Sequence, residues 1–394
     1  MKNTLTGIFK DFISSEKNAG LLLIFCTIIS LLLANSFFGK NYIHFWHEKI
    51  GFSFFNFNLH YSIEHWINDG LMTIFFLLVG LEIERELYAG ELHPIKNAIL
   101  PIFGAIGGML FPALIFAAIN FGATTVNGFG IPMGTDIAFA LAIVSLLGNK
   151  VPVSIKILLT AIAIIDDLGS ILVIALFYGS NIHYGFLMAS LGIFVFLLVL
   201  NKFKVHSLIP YLVLGIPMWF FMMQSGIHPT ISGVLLAFAC PFGTGAANTP
   251  SIKLQHCLHL PVAFIVLPLF TLANTAIPFK TEFISGLSGL HSIGIGLGLL
   301  IGKPLGIMLS FFVITELKIV KLPEGITWYD VLALGCVAGI GFTMSIFITQ
   351  LAFTDEALIQ SSKMMILLSS CVAGLLGYLF FFFKKKVVVE SNKF

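Results

Sequence analysis

The segment Ala161-Ile162-Ala163-Ile164-Ile165-Asp166-Asp167-Leu168-Gly169 sets two carboxyls side by side in an otherwise apolar run. A charged residue at the centre of a bilayer costs roughly 2.5–3.5 kcal/mol on insertion scales, so a pair of aspartates in such a run marks a place where charge is used. Neighbouring helix positions diverge by about 100°, so Asp166 and Asp167 face different partners. One can pair with a cation from another helix while the other lines a water-filled cavity. Asp136, directly after Thr135, and Asp69 are the other aspartates set deep in apolar stretches, and Lys303 is their buried cationic counterpart. A carboxyl removed from water is stable when it is protonated or paired, so a proton and a small cation compete for it.

These side chains need a membrane-embedded scaffold. The chain has 394 residues, 58% hydrophobic and 10% charged, against roughly 25% charged in soluble domains. Apolar runs long enough to cross the roughly 30 Å hydrocarbon layer fall at roughly 18–36, 62–87, 96–119, 131–147, 153–178, 184–200, 208–223, 227–240, 255–277, 291–315, 328–350 and 360–383. Twelve crossings put both termini on one side. The polar start, Met1 to Lys17, lacks a convincing cleavable leader, so the first run reads as a permanent helix. Cys26, Cys240, Cys257, Cys336 and Cys371 are scattered without a C-x-x-C pair or metal-like spacing, and read as packing residues.

Most of the 21 basic residues, including Lys150, Lys202, Lys204, Lys318, Lys321 and the terminal lysines, fall on the side that holds the termini. The other side holds Lys40, Lys49, Lys280 and Lys363. The positive-inside rule makes the first side cytoplasmic. In the first external loop, at about 43–60, the alternating run Phe52 to His60 predicts a short hairpin. Glycine recurs at four-residue intervals at Gly104 and Gly108 and again at Gly294, Gly298, Gly302 and Gly306, spacing that lets neighbouring backbones approach closely.

Gly130-Ile131-Pro132-Met133-Gly134 interrupts the fourth span and Gly339-Ile340-Gly341 the eleventh, so neither runs as unbroken helix. Residues 96–178 and 291–383 thus share a layout. Three-span units separated by four crossings enter the membrane from opposite sides, the inverted-repeat arrangement of many secondary transporters, with the paired defects at the binding site. Broken helices expose partial charges at their inner ends. Asp136 can offset an N-terminus, contact an ion directly or simply pack; Lys303 can offset a C-terminus; Thr135 offers a neutral oxygen. Asp69, near the external end of its span, reads as structural more than ion-binding. Glu82-Ile83-Glu84-Arg85-Glu86, at the cytoplasmic end of the second span, reads either as a funnel mouth or pH-responsive cluster or as a solvated helix end. His228, His256 and His259 lie at span ends, where histidine can sense pH but is commonly inert.

Five ordered motifs, Phe75-Phe76-Leu77-Leu78-Val79-Gly80-Leu81-Glu82, Thr135-Asp136-Ile137-Ala138-Phe139-Ala140, Ala163 to Gly169, Gly302-Lys303-Pro304-Leu305-Gly306 and Gly339-Ile340-Gly341-Phe342-Thr343-Met344-Ser345-Ile346, resemble the NhaA family of bacterial sodium/proton antiporters through nearly the whole chain. The resemblance implies an all-α membrane protein with twelve transmembrane helices, inverted repeats and two discontinuous crossed helices. It implies a homodimer joined partly through the hairpin, in the bacterial inner membrane. It assigns Asp167 as main carrier of sodium and protons, Asp166 as its partner able to pair with Lys303, and Thr135, Asp136 and Lys303 to the crossed helices. Glu82, Arg85, Glu86 and His256 would form a cytoplasmic pH-sensing region. Gln255 and Glu84 depart from the family pattern of an acidic and a basic residue there, which bears on the pH set-point. Sodium, lithium and protons are transported substrates, and no cofactor is expected.

An enzyme or primary pump finds no support in the motifs. Leu297 stands where a phosphate loop before Gly302-Lys303 needs glycine, and Pro304 where it needs Ser or Thr. Tyr329-Asp330 lacks the G-x-G-D companion of an intramembrane aspartyl protease. A passive sodium channel would use the same buried charges without obligatory proton flux.

Overall fold

A computed structural model describes residues 2–54, 57–88, 90, 95–179, 182–243, 249–323 and 325–384. The C-terminal lysines Lys385, Lys386 and Lys393 and the hairpin tip at 55–56 lie outside the described residues. Among the described residues the regular structure is helical apart from one antiparallel hairpin, β1 (Lys49–Phe54) and β2 (Phe57–Ser62), paired from Lys49↔Ser62 to Phe54↔Phe57. Helices α1 (Lys2–Ala34) and α2 (Gly39–His47) precede it. The long helix α3 (Ile63–Tyr88) follows, and Trp66 Nε1 donates to the Ile50 carbonyl at 2.9 Å, fixing hairpin to helix.

The remaining elements are α4 (Ile95–Ile119), a 3-10 helix Thr124–Met133, α5 (Ile137–Leu146), α6 (Val153–Phe177), α7 (Tyr184–Lys202), α8 (Ile209–Gln224), α9 (Thr230–Ala239), α10 (Pro250–Asn274), α11 (Leu290–Glu316), α12 (Trp328–Ala338), α13 (Phe342–Ala352) and α14 (Glu356–Phe383). Among the described residues eight helices are long and apolar enough to cross a membrane, and two bent pairs pass the same test jointly. One pair is the 3-10 helix with α5, bent by 44°; the other is α12 with α13, bent by 49°. Helices α8 and α9 are shorter apolar helices.

Two boundaries differ from expectation. The fourth span, expected at 131–147, begins at Thr124 as 3-10 helix; the polar, glycine-containing run Thr124-Thr125-Val126-Asn127-Gly128 has no apolar periodicity to betray it. The last span, expected at 360–383, begins earlier, and Lys363, expected on the external side, is 3% exposed inside α14. That helix starts at Glu356, capped by Asp355, whose Oδ1 accepts from Ala357 N at 2.7 Å. The cap lengthens the helix beyond its apolar stretch and carries the lysine inward.

Large apolar side chains such as Leu114, Leu176, Ile216 and Leu305 point outward, as suits hydrocarbon solvent, which leaves backbone groups to be satisfied inside the helices. Polar and charged groups including Asp136, Asp166, Asp167 and Lys303 sit inside. The chain is thus a multi-pass membrane protein with an apolar outer surface and a few charged groups set in an apolar core. Packing of α4 on α11 depends on glycine: a Cβ on Gly306 would collide with the Gly107 carbonyl, and one on Gly302 would lie 2.8 Å from Pro112 Cα. Backbones touch there without intervening side chains.

Candidate ion-binding site

Two helix breaks face each other in the interior. In the first, Pro132 withholds a backbone donor and Gly134 fits against Met344, whose Cβ would lie 2.8 Å from an added Cβ. In the second, Gly339 packs on the Leu299 carbonyl, where an added Cβ would collide at 2.5 Å. Asp136 N donates to the Ile340 carbonyl at 2.7 Å, so the breaks are joined through their backbones.

Asp136 serves two helix starts with one carboxylate. Its Oδ1 accepts from Phe139 N at 3.0 Å, capping α5, and its Oδ2 accepts from Thr343 N at 3.0 Å and Thr343 Oγ1 at 2.5 Å at the start of α13. An anion is favoured where both half-helix N-termini place partial positive charge. Lys303 answers the opposite end: its Nζ donates to the carbonyl of Met133, the last residue of the 3-10 half-helix. The same Nζ lies 2.8 Å from Asp166 Oδ2. Lys303 directly follows a π-helical turn, Gly298–Gly302, which re-aims the helix at this point.

Thr135 Oγ1 lies 2.7 Å from Asp166 Oδ2 and 3.0 Å from the Ala338 carbonyl. Its single proton can serve one of them at a time. Asp166, Thr135 and Lys303 are fully buried, and Asp167 is 1% exposed. Both Asp166 Oδ1 and Asp167 Oδ1 lack a hydrogen-bond partner, as does the buried hydroxyl of Ser170 one turn further along α6. A buried carboxylate oxygen without a donor is costly unless it takes a proton or a cation. Ser170 and Thr343 were not singled out from sequence, because uncharged hydroxyls are ordinary in membrane helices.

The proposed sensor residues gather only in part. Glu82 is buried on α3, and Arg85 Nη2 pairs with Glu86 Oε1 at 2.8 Å. His256 sits on the exposed face of α10. At this end of α3 a polar link to α10 runs instead through Ser251 Oγ, which donates to buried Glu84 Oε2 at 2.9 Å. At the other end of α3, Asp69 lies within 3.2 Å of His65 Nε2 and 3.5 Å of His228 Nε2. Asp330, considered above for proteolysis, closes a capping box with Thr327 and pairs with Lys384 at 2.6 Å, a structural assignment.

The sequence profile of the family described as Na+/H+ antiporter 1 matches residues 10–381. The chain belongs to that family. Its relatives include the Na(+)/H(+) antiporter NhaA of Flavobacterium psychrophilum, 56% identical over 389 residues and 99% of both chains. The Na(+)/H(+) antiporter NhaA 1 of Flavobacterium johnsoniae is 55% identical over 95% of this chain and 96% of its own. The NhaA of Dechloromonas aromatica is 52% identical over 95% of each chain. Within the NhaA family, then, this chain carries two adjoining buried carboxyls beside a lysine at two facing helix breaks.

Proposed function

We propose that this chain is a sodium/proton antiporter of the bacterial inner membrane. The observation that carries the reading is the pair of buried, donor-free oxygens on Asp166 and Asp167 beside Lys303. Asp167 is the main carrier: deprotonated, it binds sodium, and protonation expels the ion. Asp166 shares the load by exchanging its contact with Lys303 for the cation. Thr135 offers an oxygen to whichever partner is present, and Asp136 keeps the two half-helix N-termini neutralised. Because one carboxyl cannot hold both ligands, reorientation of the loaded protein between the two sides couples sodium export to proton entry by alternating access.

The bent pairs, the eight long helices and the two shorter apolar ones support a reading of twelve crossings with crossed, discontinuous helices, formed as inverted repeats at 96–178 and 291–383 in a single membrane domain. Both termini are read as cytoplasmic and the hairpin as external, available for homodimer contact. Lithium is read as a second substrate, and the exchange as electrogenic and regulated by pH through Glu82, Arg85, Glu86 and His256. No cofactor takes part in this cycle.

The test is sodium-driven proton movement in proteoliposomes holding the purified protein. Sodium added on one side should release protons there in the wild type and not in Asp167→Asn. Sodium flux without matching proton flux would instead identify a channel.

A further inference from the structure

A cavity of about 390 Å³ opens at the end of α3 opposite Glu82, and the exchange cycle above makes no use of it. Glu64, Asn68, Gln350, Gln360 and Lys363 line it. All of these but Gln360 form one polar cluster with Asn274. Gln350 Nε2 donates to Glu64 Oε1 at 2.8 Å and also to Asn274 Oδ1, while Asn68 Nδ2 donates to Gln350 Oε1 at 2.6 Å and Asn274 Nδ2 to Asn68 Oδ1 at 2.8 Å. Helices α3, α10, α13 and α14 meet through these bonds.

Lys363 supplies a tethered cation to the cluster. Its Nζ lies 3.4 Å from Glu64 Oε1 and 3.3 Å from Asn274 Oδ1. Charge-assisted contacts of ammonium to oxygen normally close to about 2.7–2.9 Å, so these oxygens hold the lysine loosely. A second observation is independent of the cluster. Gln360, 9% exposed, spends its amide N–H on Glu356 Oε1 at 2.5 Å, while its Oε1 is buried without a donor in the cavity wall. An orphan acceptor on one wall of a cavity whose other walls carry a carboxylate and amides is the kind of oxygen a small hard cation takes.

The cavity also reaches toward the exchange site. Thr343 of α13 holds Asp136, and Phe347, one turn further on, lines the cavity. One turn is about 5.4–6 Å along the axis. The Phe347 ring packs against Phe76 at 5.4 Å.

We propose that this cavity is a second, transient site for the transported cation. There a sodium ion displaces Lys363 from Glu64 and takes the oxygens of Glu64, Asn274 and Gln360, on its way between Asp166–Asp167 and the outer solution. The inference rests on the antiporter reading. Because the lysine keeps its charge, sodium enters beside an unpaired ammonium, and this repulsion makes the site a station and not a trap. The pattern parallels the exchange site, where Lys303 is the resident cation of Asp166.

Full-length protein is tested in membrane vesicles of both orientations, titrating sodium from each face and recording proton movement. Gln360→Leu, which leaves the Glu64 cluster intact, should raise the half-saturating sodium concentration about fivefold from the cavity face and leave the other face unchanged. Glu64→Gln should do the same, more strongly, and Lys363→Met should lower that concentration. A purely structural role would move both faces together. Unchanged affinity in Gln360→Leu, or equal changes at both faces, overturns the proposal. Asp167→Asn is the separate control: if it still exchanges while Gln360→Leu is one-sided, the exchange-site reading fails and the cavity site stands.

Discussion

Asp166 and Asp167 differ in company although they adjoin in sequence. Asp166 Oδ2 has Lys303 and Thr135, whereas Asp167 Oδ1 has no donor. Asparagine keeps the size of aspartate but can neither release a proton nor neutralise a cation. Asp167→Asn should therefore abolish sodium-dependent proton movement with expression and folding retained, and Asp166→Asn should cripple it less completely. On the proposed cycle protons and sodium compete for the same oxygens, so apparent sodium affinity should fall as pH falls. Calorimetric sodium titrations at several pH values check the sign; pH-independent affinity would exclude competition. Lys303 is fully buried beside its carboxylate, and breaking such a pair costs roughly 3–5 kcal/mol. Lys303→Ala should accordingly lower the melting temperature markedly, while Lys303→Arg keeps exchange with a displaced pH profile. Formal charge made these residues legible in the sequence, since aspartate or lysine inside an apolar run has few explanations. Ser170, Thr343 and the amides Asn68, Asn274 and Gln350 were not legible, because nothing in a run of letters shows that the three amides, from α3, α10 and α13, meet, or that Thr343 binds Asp136.

Where the helices break, the chemistry is set by elements more than by single side chains. The break motifs were readable from Pro132, Gly134, Gly339 and Gly341, but the contact between them was not: it is made by a backbone bond, Asp136 N to the Ile340 carbonyl. The 3-10 start at Thr124 escaped for a related reason, since 3-10 turns impose no 3.6-residue pattern. One carboxylate caps two helix starts, and a lost cap costs about 0.5–2 kcal/mol at each. Asp136→Ala should thus destabilise by about twice a single cap, and Asp136→Asn, which keeps acceptor oxygen but not charge, by less. Thermal unfolding of the three proteins in detergent gives the order, and equal melting temperatures for Ala and wild type would remove the capping role. Packing of α4 on α11 makes a sharper demand. A side chain at Gly306 must push the Gly107 backbone away, so Gly306→Leu should abolish stable expression even though it adds only apolar surface to an apolar protein.

At the scale of the whole molecule, charge and apolarity are arranged along different axes. Apolar side chains face outward along the helices, as on α7, where 11% of the span is buried, while on the proposed twelve-crossing topology basic residues concentrate in the connections on one side. The first arrangement says that the chain lies in lipid; the second, on that topology, gives the proposed orientation, because lysines flanking short loops resist translocation. Lys363, counted on the opposite side, is buried against Glu64 inside α14 and is not a solvated loop lysine. Reporter fusions after Phe394 should behave as cytoplasmic and fusions beside Asp355 as external. The two positions flank the single helix α14, so the reporters must disagree if that helix spans the membrane. A reporter pair that agrees would mean that α14 does not cross, and an external signal after Phe394 would invert the protein, exchanging the faces at which sodium enters and protons leave.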